Sequence, residues 1–168
     1  MRQIAAYKLL LTLALAVFAL DQTTKLWIES LMPLGTFYPP ASIVVIKDFF
    51  HIVHLGNPGA AWSLFEGQST ALAAIGVCSL IALFVFRKQL ELEHPRTQLA
   101  FGLIIGGIIG NLVDRFRLSY VIDFLDVHIN GHHWPSFNVA DSGITVGVAI
   151  YVLSNLFTKE QKKEEPTR

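Results

Sequence analysis

From Thr97 to Arg117 the chain reads TQLAFGLIIGGIIGNLVDRFR, seventeen uncharged residues that end abruptly at Asp114-Arg115-Phe116-Arg117. A helix that crosses a bilayer needs roughly 20 mostly apolar residues, so this stretch predicts a membrane span with charge at one mouth. Two stripes run along it at a spacing of four: Gly102, Gly106, Gly110 and Asp114, and beside them Gly107, Asn111 and Arg115. Glycines so spaced let helix backbones approach closely in lipid. Packing explains the glycines. It does not ask for an amide, a carboxylate and a guanidinium along the same lines.

Three further stretches read the same way, so spans are expected at about 4–24, 70–87, 97–113 and 139–158. Lys8 interrupts the first and can snorkel to the interface. Thr70 to Phe86 carries no charge, and the fourth span carries Asp141 near its start. The expected fold is an all-α membrane protein of four transmembrane helices in a single domain over 1–158. A charged, frayed tail at 159–168 follows it. Composition agrees: 52% of the 168 residues are hydrophobic and 15% charged, where a soluble domain carries about 25% charged residues. Mean hydropathy is +0.49. Thirteen basic and thirteen acidic residues cancel, which leaves no basic excess for nucleic acid. The lone Cys78 excludes an internal disulfide and a cysteine-based metal site. A cleaved signal peptide is the alternative for the first stretch, but Phe18-Ala19-Leu20-Asp21 offers no small-x-small cleavage site.

Four spans put both termini on one side with the 87–96 loop. That side holds nine basic residues (Arg2, Lys8, Arg87, Lys88, Arg96, Lys159, Lys162, Lys163, Arg168), and the other holds four: Lys25, Lys47, Arg115 and Arg117. The basic excess marks the cytoplasmic side. The loops at 27–69 and 114–138 are therefore expected to face outward.

The unusual polar residues gather at that outer face. Asp21 and Lys25 share a helix face at i,i+4, which reads either as an interfacial anchor or as part of a site. Asn57-Pro58 reads as a helix N-cap with proline at the first helical position, or as an amide facing substrate. Tyr120 to Ile129 reads as a strand, and Asn130-Gly131 is a strong two-residue hairpin signal. Paired positions then sum to 261, which sets Asn138 opposite Asp123. It also sets Asp123 on an otherwise apolar face with Val121, Leu125, Val127 and Ile129, and Asp126 on the other face. Pro135 limits the returning strand to an edge. Asn138 and Asp141 read as a capping pair at the start of the fourth span. The hairpin also returns the chain to Asp123, so one helical turn brings Asp141 to the same place. Two carboxylates meeting at the membrane boundary are unfavourable unless they share a proton, as an aspartic protease dyad does. His51 and His54 fall in a further strand expected over Ile43–Leu55, and His128, His132 and His133 fall in or beside the hairpin. No second ligand cluster is evident for them, so no metal is expected.

Five segments in order, Asp21-Gln-Thr-Thr-Lys25, Asn57-Pro-Gly-Ala-Ala-Trp-Ser63, Gly106 to Arg115, Val121-Ile-Asp-Phe124 and Phe137-Asn-Val-Ala-Asp-Ser142, resemble the lipoprotein signal peptidase (signal peptidase II) family of bacteria. The resemblance covers the whole chain apart from the tail. It implies an intramembrane aspartic endopeptidase of the bacterial inner membrane, which cleaves diacylglyceryl-modified prolipoproteins immediately before the lipidated cysteine. By motif position Asp123 and Asp141 match the catalytic pair. Asn57, Gly107, Asn111, Arg115, Asn138 and Ala140 match pocket positions, and Asp21, Lys25 and Asp114 match supporting ones. The resemblance also implies a small extracytoplasmic sheet and an interfacial helix within 27–69. Pro58 and Trp62 depart from the family's usual small polar residue and Phe, and Ser119 stands near a usual Gly before the strand.

The chemistry these residues allow is general acid–base hydrolysis, with one carboxylate activating water and the other polarising the scissile carbonyl. It needs neither metal nor organic cofactor. The expected partners are the lipidated substrate and membrane lipid. A complete site in one chain suits a monomer. The competing reading is a small proton-coupled carrier with Asp123 and Asp141 as its relay, which requires ionisable groups along a path through the bilayer. A purely structural role leaves the outer polar clusters without a reason.

Overall fold

The computed structural model describes residues 6–60, 64–129 and 131–164, with side chains described up to Leu156. Arg2, Trp62, Asn130 and Arg168 lie outside the described residues. In chain order the elements are α1 (Lys8–Leu31), β1 (Ile43–Ile46), β2 (Phe50–Asn57), α2 (Ser69–Val85), α3 (Pro95–Leu118), β3 (Val121–Ile129), β4 (His132–His133) and α4 (Val139–Glu164). Three of these helices are long and apolar enough to cross a membrane: Lys8–Leu31, Pro95–Leu118 and the Val139–Leu156 part of α4. The apolar α2 has 17 residues, and at 1.5 Å per residue it spans about 25 Å.

Two helices run further than the apolar stretches that predict them. α1 continues past residue 24 to Leu31 because Lys25 is fully buried between carboxylates and does not mark an interface. α3 continues through Asp114-Arg115-Phe116-Arg117 because Asp114 is buried and Arg117 pairs with Glu29 at 2.8 Å. Charge does not end a helix whose charges are partnered. What ends α3 is Ser119, left-handed at φ 65°, whose N–H closes on the Arg115 carbonyl. α4 likewise continues into the charged tail as far as Glu164. At the opposite end of the bundle Gln98 accepts the orphan Leu10 N–H of α1 at 3.2 Å and donates to the Ala6 carbonyl at 2.7 Å. A side chain from a neighbouring helix thus meets a need that Tyr7 at the N-cap leaves open.

α3 is the central helix, and its glycines decide this. A Cβ on Gly106 would lie 2.6 Å from the Ala14 carbonyl oxygen and 2.8 Å from Val17 Cβ, so α1 packs directly on this face. A Cβ on Gly107, on the adjoining stripe, would collide with the Ala140 carbonyl of α4. The two stripes therefore serve two neighbours. The outer surfaces stay apolar, with Leu15 and Phe84 about two-thirds exposed, as lipid-facing residues are.

A four-stranded antiparallel sheet in the order β1-β2-β3-β4 sits on the α1 end near Leu31. Ile28 and Met32 of that end pack against Ile122 and Phe124 of β3. The strand expected over Ile43–Leu55 is in fact a hairpin, turned at Lys47–Phe49 with Asp48 at φ 60°. The β3–β4 register follows the expected sum of 261 at His128↔His133 and Ile129↔His132. It then slips by one at Leu125↔Phe137, where the Phe137 carbonyl accepts from both Phe124 and Leu125. Pro135 has no N–H to continue the ladder, so the returning chain is free to bulge there. Among the described residues no helix lies between Leu31 and Ser69.

Candidate active site

Asp123 projects from β3 with 3% exposure. Both of its oxygens accept amides: Asn57 Nδ2 donates to Oδ2 at 3.0 Å and Asn138 Nδ2 to Oδ1 at 2.8 Å. Asn57 closes β2 directly opposite Val121, and a β-bulge between Ile52 and Leu55 sets that register. Its Oδ1 accepts the Gly59 N–H at 3.0 Å, an Asx turn rather than a helix cap, and residues 58–60 and 64–68 are not helical. Asn57 therefore caps no helix among the described residues, and its amide nitrogen faces the Asp123 carboxylate.

Asp141 sits in the first turn of α4. The reciprocal cap is present: Asp141 N–H donates to Asn138 Oδ1 at 2.9 Å, and Asn138 N–H reaches Asp141 Oδ2 at 3.3 Å. Asn111 Nδ2 donates to Asp141 Oδ1 at 2.7 Å. Asn138, wholly buried, thus caps α4 with its oxygen while its nitrogen holds Asp123. Capping and convergence are one arrangement. Burial, and then the neighbouring charge of Asp141, push the Asp123 carboxyl up to about 7, while the Asn57 and Asn138 amides act in the opposite direction.

Behind the pair lies a buried ionic hub. The Lys25 ammonium has three hydrogens and three acceptors: Asp21 at 2.9 Å, Asp114 at 2.8 Å and Asn111 Oδ1 at 3.0 Å. Asp21 also accepts the Ala140 N–H at 2.9 Å, and Asp114 accepts the Ile122 N–H at 3.1 Å. The hub therefore ties α1 and α3 to the first turn of α4 and to β3, the two elements that carry Asp141 and Asp123. Gln22 joins it, donating to Asp21, Asp114 and the Gly110 carbonyl at 3.1–3.2 Å. Sequence reasoning missed Gln22. Its only signal was adjacency to Asp21.

A cavity of about 590 Å³ opens beside the pair, lined by Asn57, Asn111, Arg115, Asp123 and Asp141 together with the 134–137 segment and Ile144 to Val146 of α4. Arg115 donates from Nη2 to the Gly59 carbonyl at 3.0 Å, and its buried Nε has no hydrogen-bond partner. Gly107, Asn138 and Ala140 do not line this cavity. They form the α3–α4 contact and the cap beneath it. Pro58 is exposed and lines a neighbouring cavity of about 470 Å³.

Such a fold, with apolar helices carrying a polar, carboxylate-lined cavity at one end, is that of a membrane enzyme. A solved bacterial membrane enzyme, determined in meso at 2.3 Å, matches it with a TM-score of 0.82 at 34% identity, over 95% of this chain and 94% of that one. A sequence profile described as signal peptidase (SPase) II matches residues 13–157. The chain is 40% identical over 148 residues to the lipoprotein signal peptidase of Desulforapulum autotrophicum, covering 85% of this chain and 88% of that one. It is 41% identical over 160 residues to the lipoprotein signal peptidase of Aeromonas hydrophila, covering 92% and 91%. The chain belongs to the signal peptidase II family, and it is a peptidase.

Proposed function

We propose that this protein is an intramembrane aspartic endopeptidase that removes the signal peptide from diacylglyceryl-modified prolipoproteins, cutting immediately before the lipidated cysteine. The observation that carries the reading is the Asn138 link, which holds Asp123 and the α4 turn bearing Asp141 against one cavity. A carboxyl pushed up to about 7 keeps a proton near neutrality, and a pair that shares one proton can polarise the scissile carbonyl with one carboxyl while the other takes a proton from water. The pair titrates as a unit. Asn57 and Asn111 each orient one carboxylate, and Arg115, which lines the cavity, offers its guanidinium to a substrate carbonyl or lipid oxygen.

Residues 1–158 form one peptidase domain with four spans, α2 being the short one, in the bacterial inner membrane. Both termini are cytoplasmic, by the nine-to-four basic split, and the pair lies at the extracytoplasmic face. A single chain suffices, since every group named comes from it. The carrier reading lacks its path: among the described residues, the buried ionisable groups of the helices, Asp21, Lys25 and Asp114, gather at one end.

The experiment incubates purified protein with a diacylglyceryl-modified prolipoprotein and follows the shorter product. Wild type cleaves. Asp123→Asn and Asp141→Asn each lose cleavage, and the double variant is scarcely worse, because groups acting as a unit are non-additive. Robust cleavage by either single variant overturns the proposal.

A further inference from the structure

The sheet gathers a second cluster that the peptidase reading does not use. His51 of β2 is the direct cross-strand partner of Asp126 on β3, His128 lies two residues on, and His133 of β4 is the direct partner of His128. Period-two alternation puts all four on one face. One potential ligand atom each from His51, Asp126 and His128 lie within 4.8 Å of one another. Asp126 is fully buried and His128 is 8% exposed. The rings lie close together, His51 edge-on to His128 with centroids 4.6 Å apart and His128 stacked on His133 with centroids 4.7 Å apart.

Hydrogen bonding accounts for only one of these imidazoles. His133 Nδ1–H donates to Asp126 at 2.9 Å. His128 Nδ1 is buried with no hydrogen-bond partner, although it stands 3.4 Å from Asp126 Oδ2. That separation is long for a hydrogen bond. It suits two ligands of one ion, because atoms each about 2.0–2.1 Å from a tetrahedral zinc lie about 3.3 Å apart. A buried Nδ1 that makes no hydrogen bond to the carboxylate oxygen beside it is placed to share a cation with that oxygen.

We propose that His51, Asp126 and His128 form a site for a divalent transition-metal ion of the zinc class, with His133 orienting the Asp126 carboxylate from outside the ligand set. Two imidazoles and a carboxylate are the ligands of a three-protein-ligand zinc site with one open position. A ligating carboxylate is itself hydrogen-bonded from outside the ligand set in such sites, and His133 supplies that bond here. The ion would clip β2 to β3 three residues from Asp123, where the cavity of about 470 Å³ is lined by Asp123, Asp126 and His133 alike. Its role there is to stiffen the sheet that carries Asp123. The proposal does not rest on the peptidase reading.

The test uses the full chain, purified without a histidine tag and stripped with chelator, and titrates Co²⁺ as a coloured probe and then Zn²⁺ in competition. One equivalent of Co²⁺ should bind with visible tetrahedral d–d bands, be displaced by Zn²⁺, and raise the thermal midpoint. His51→Gln and His128→Ala should each lose stoichiometric binding. His133→Ala should weaken it about 10–100-fold, and His132→Ala, whose residue is outside the cluster, should bind as wild type does. No uptake by the folded wild-type chain overturns the proposal whatever the variants do. So does binding that survives in the His51→Gln/His128→Ala double variant.

Discussion

Replacing Asp123 by Asn should remove cleavage and, at neutral pH, strengthen the fold. The carboxyl rises from 3.8 to about 7 on folding, about 3 units, or about 4 kcal/mol of preference for the protonated form in the folded state. Between these two values the unfolded chain has lost the proton and the folded chain keeps it, so stability falls as pH rises through the window. The full cost is present above pH 7 and absent below 3.8. Asparagine carries no such cost, but its NH₂ must face one of the two amide donors, Asn57 or Asn138, that now hold the carboxylate. Asn57 cannot flip without giving up its Gly59 bond. That mismatch costs about 1–3 kcal/mol at any pH. The variant should therefore be less stable than wild type near pH 4 and more stable, by about 1–3 kcal/mol, near pH 8. Thermal unfolding in detergent across that range reads the difference, which must change sign. Cleavage should fall by about 10²–10⁴ or more, and in the wild type it should decline on the alkaline side of 7 as the shared proton is lost. A stability difference that stays constant between pH 4 and pH 8 refutes the assignment of the burial cost to Asp123.

Lys25→Met leaves Asp21 and Asp114 facing each other, fully buried and without their cation. A loss of about 3–5 kcal/mol is expected, seen as a collapse of membrane yield and thermal midpoint, and a near-wild-type midpoint would show that the hub is not what ties the helices together. Arg115→Lys should lower kcat/KM while leaving yield unchanged, because a point charge cannot serve the Gly59 carbonyl and the cavity together; wild-type turnover would reduce Arg115 to an anchor. Ser119→Gly should raise stability by about 1 kcal/mol, since Ser119 is left-handed at φ 65°, and an unchanged or lower unfolding midpoint would count against strain at that cap.

The apolar helices were legible because hydropathy is summed over many residues, and three of the four are long and apolar enough to cross a membrane. Their ends were not, because they depend on partners far away in sequence. Lys25 and Asp114 look like boundary charges until α1 and α3 are packed together, and only then does each find the other. The Ile43–Leu55 strand failed for the opposite reason. Its apolar pattern is interrupted by charge only at Lys47-Asp48, and the turn there depends on a left-handed Asp48, a conformation that aspartate tolerates but does not advertise. The linear sequence shows no second ligand cluster for the histidines. That cluster forms through the pairing of His51 with Asp126 across β2 and β3, which lie far apart in sequence.

Around Asp141 the sequence posed a choice that the structure dissolves. Read locally, Asn138 and Asp141 form a cap, and a cap is worth about 1 kcal/mol wherever it occurs. Read through the hairpin, they belong with Asp123. The asparagine amide has two ends, and each reading uses one: Oδ1 accepts the Asp141 N–H, and Nδ2 reaches Asp123. The cap thereby fixes Asn138 in a single orientation, and that orientation aims a donor at Asp123. An aspartate at position 138 would cap α4 equally well, yet it would put a third carboxylate where a donor is needed. A serine would cap and reach nothing. Asparagine is the residue that fixes the helix start and Asp123 together, so a local helix signal adds its hold on the pair to the distant contacts made by Asn57, Asn111 and the Lys25 hub.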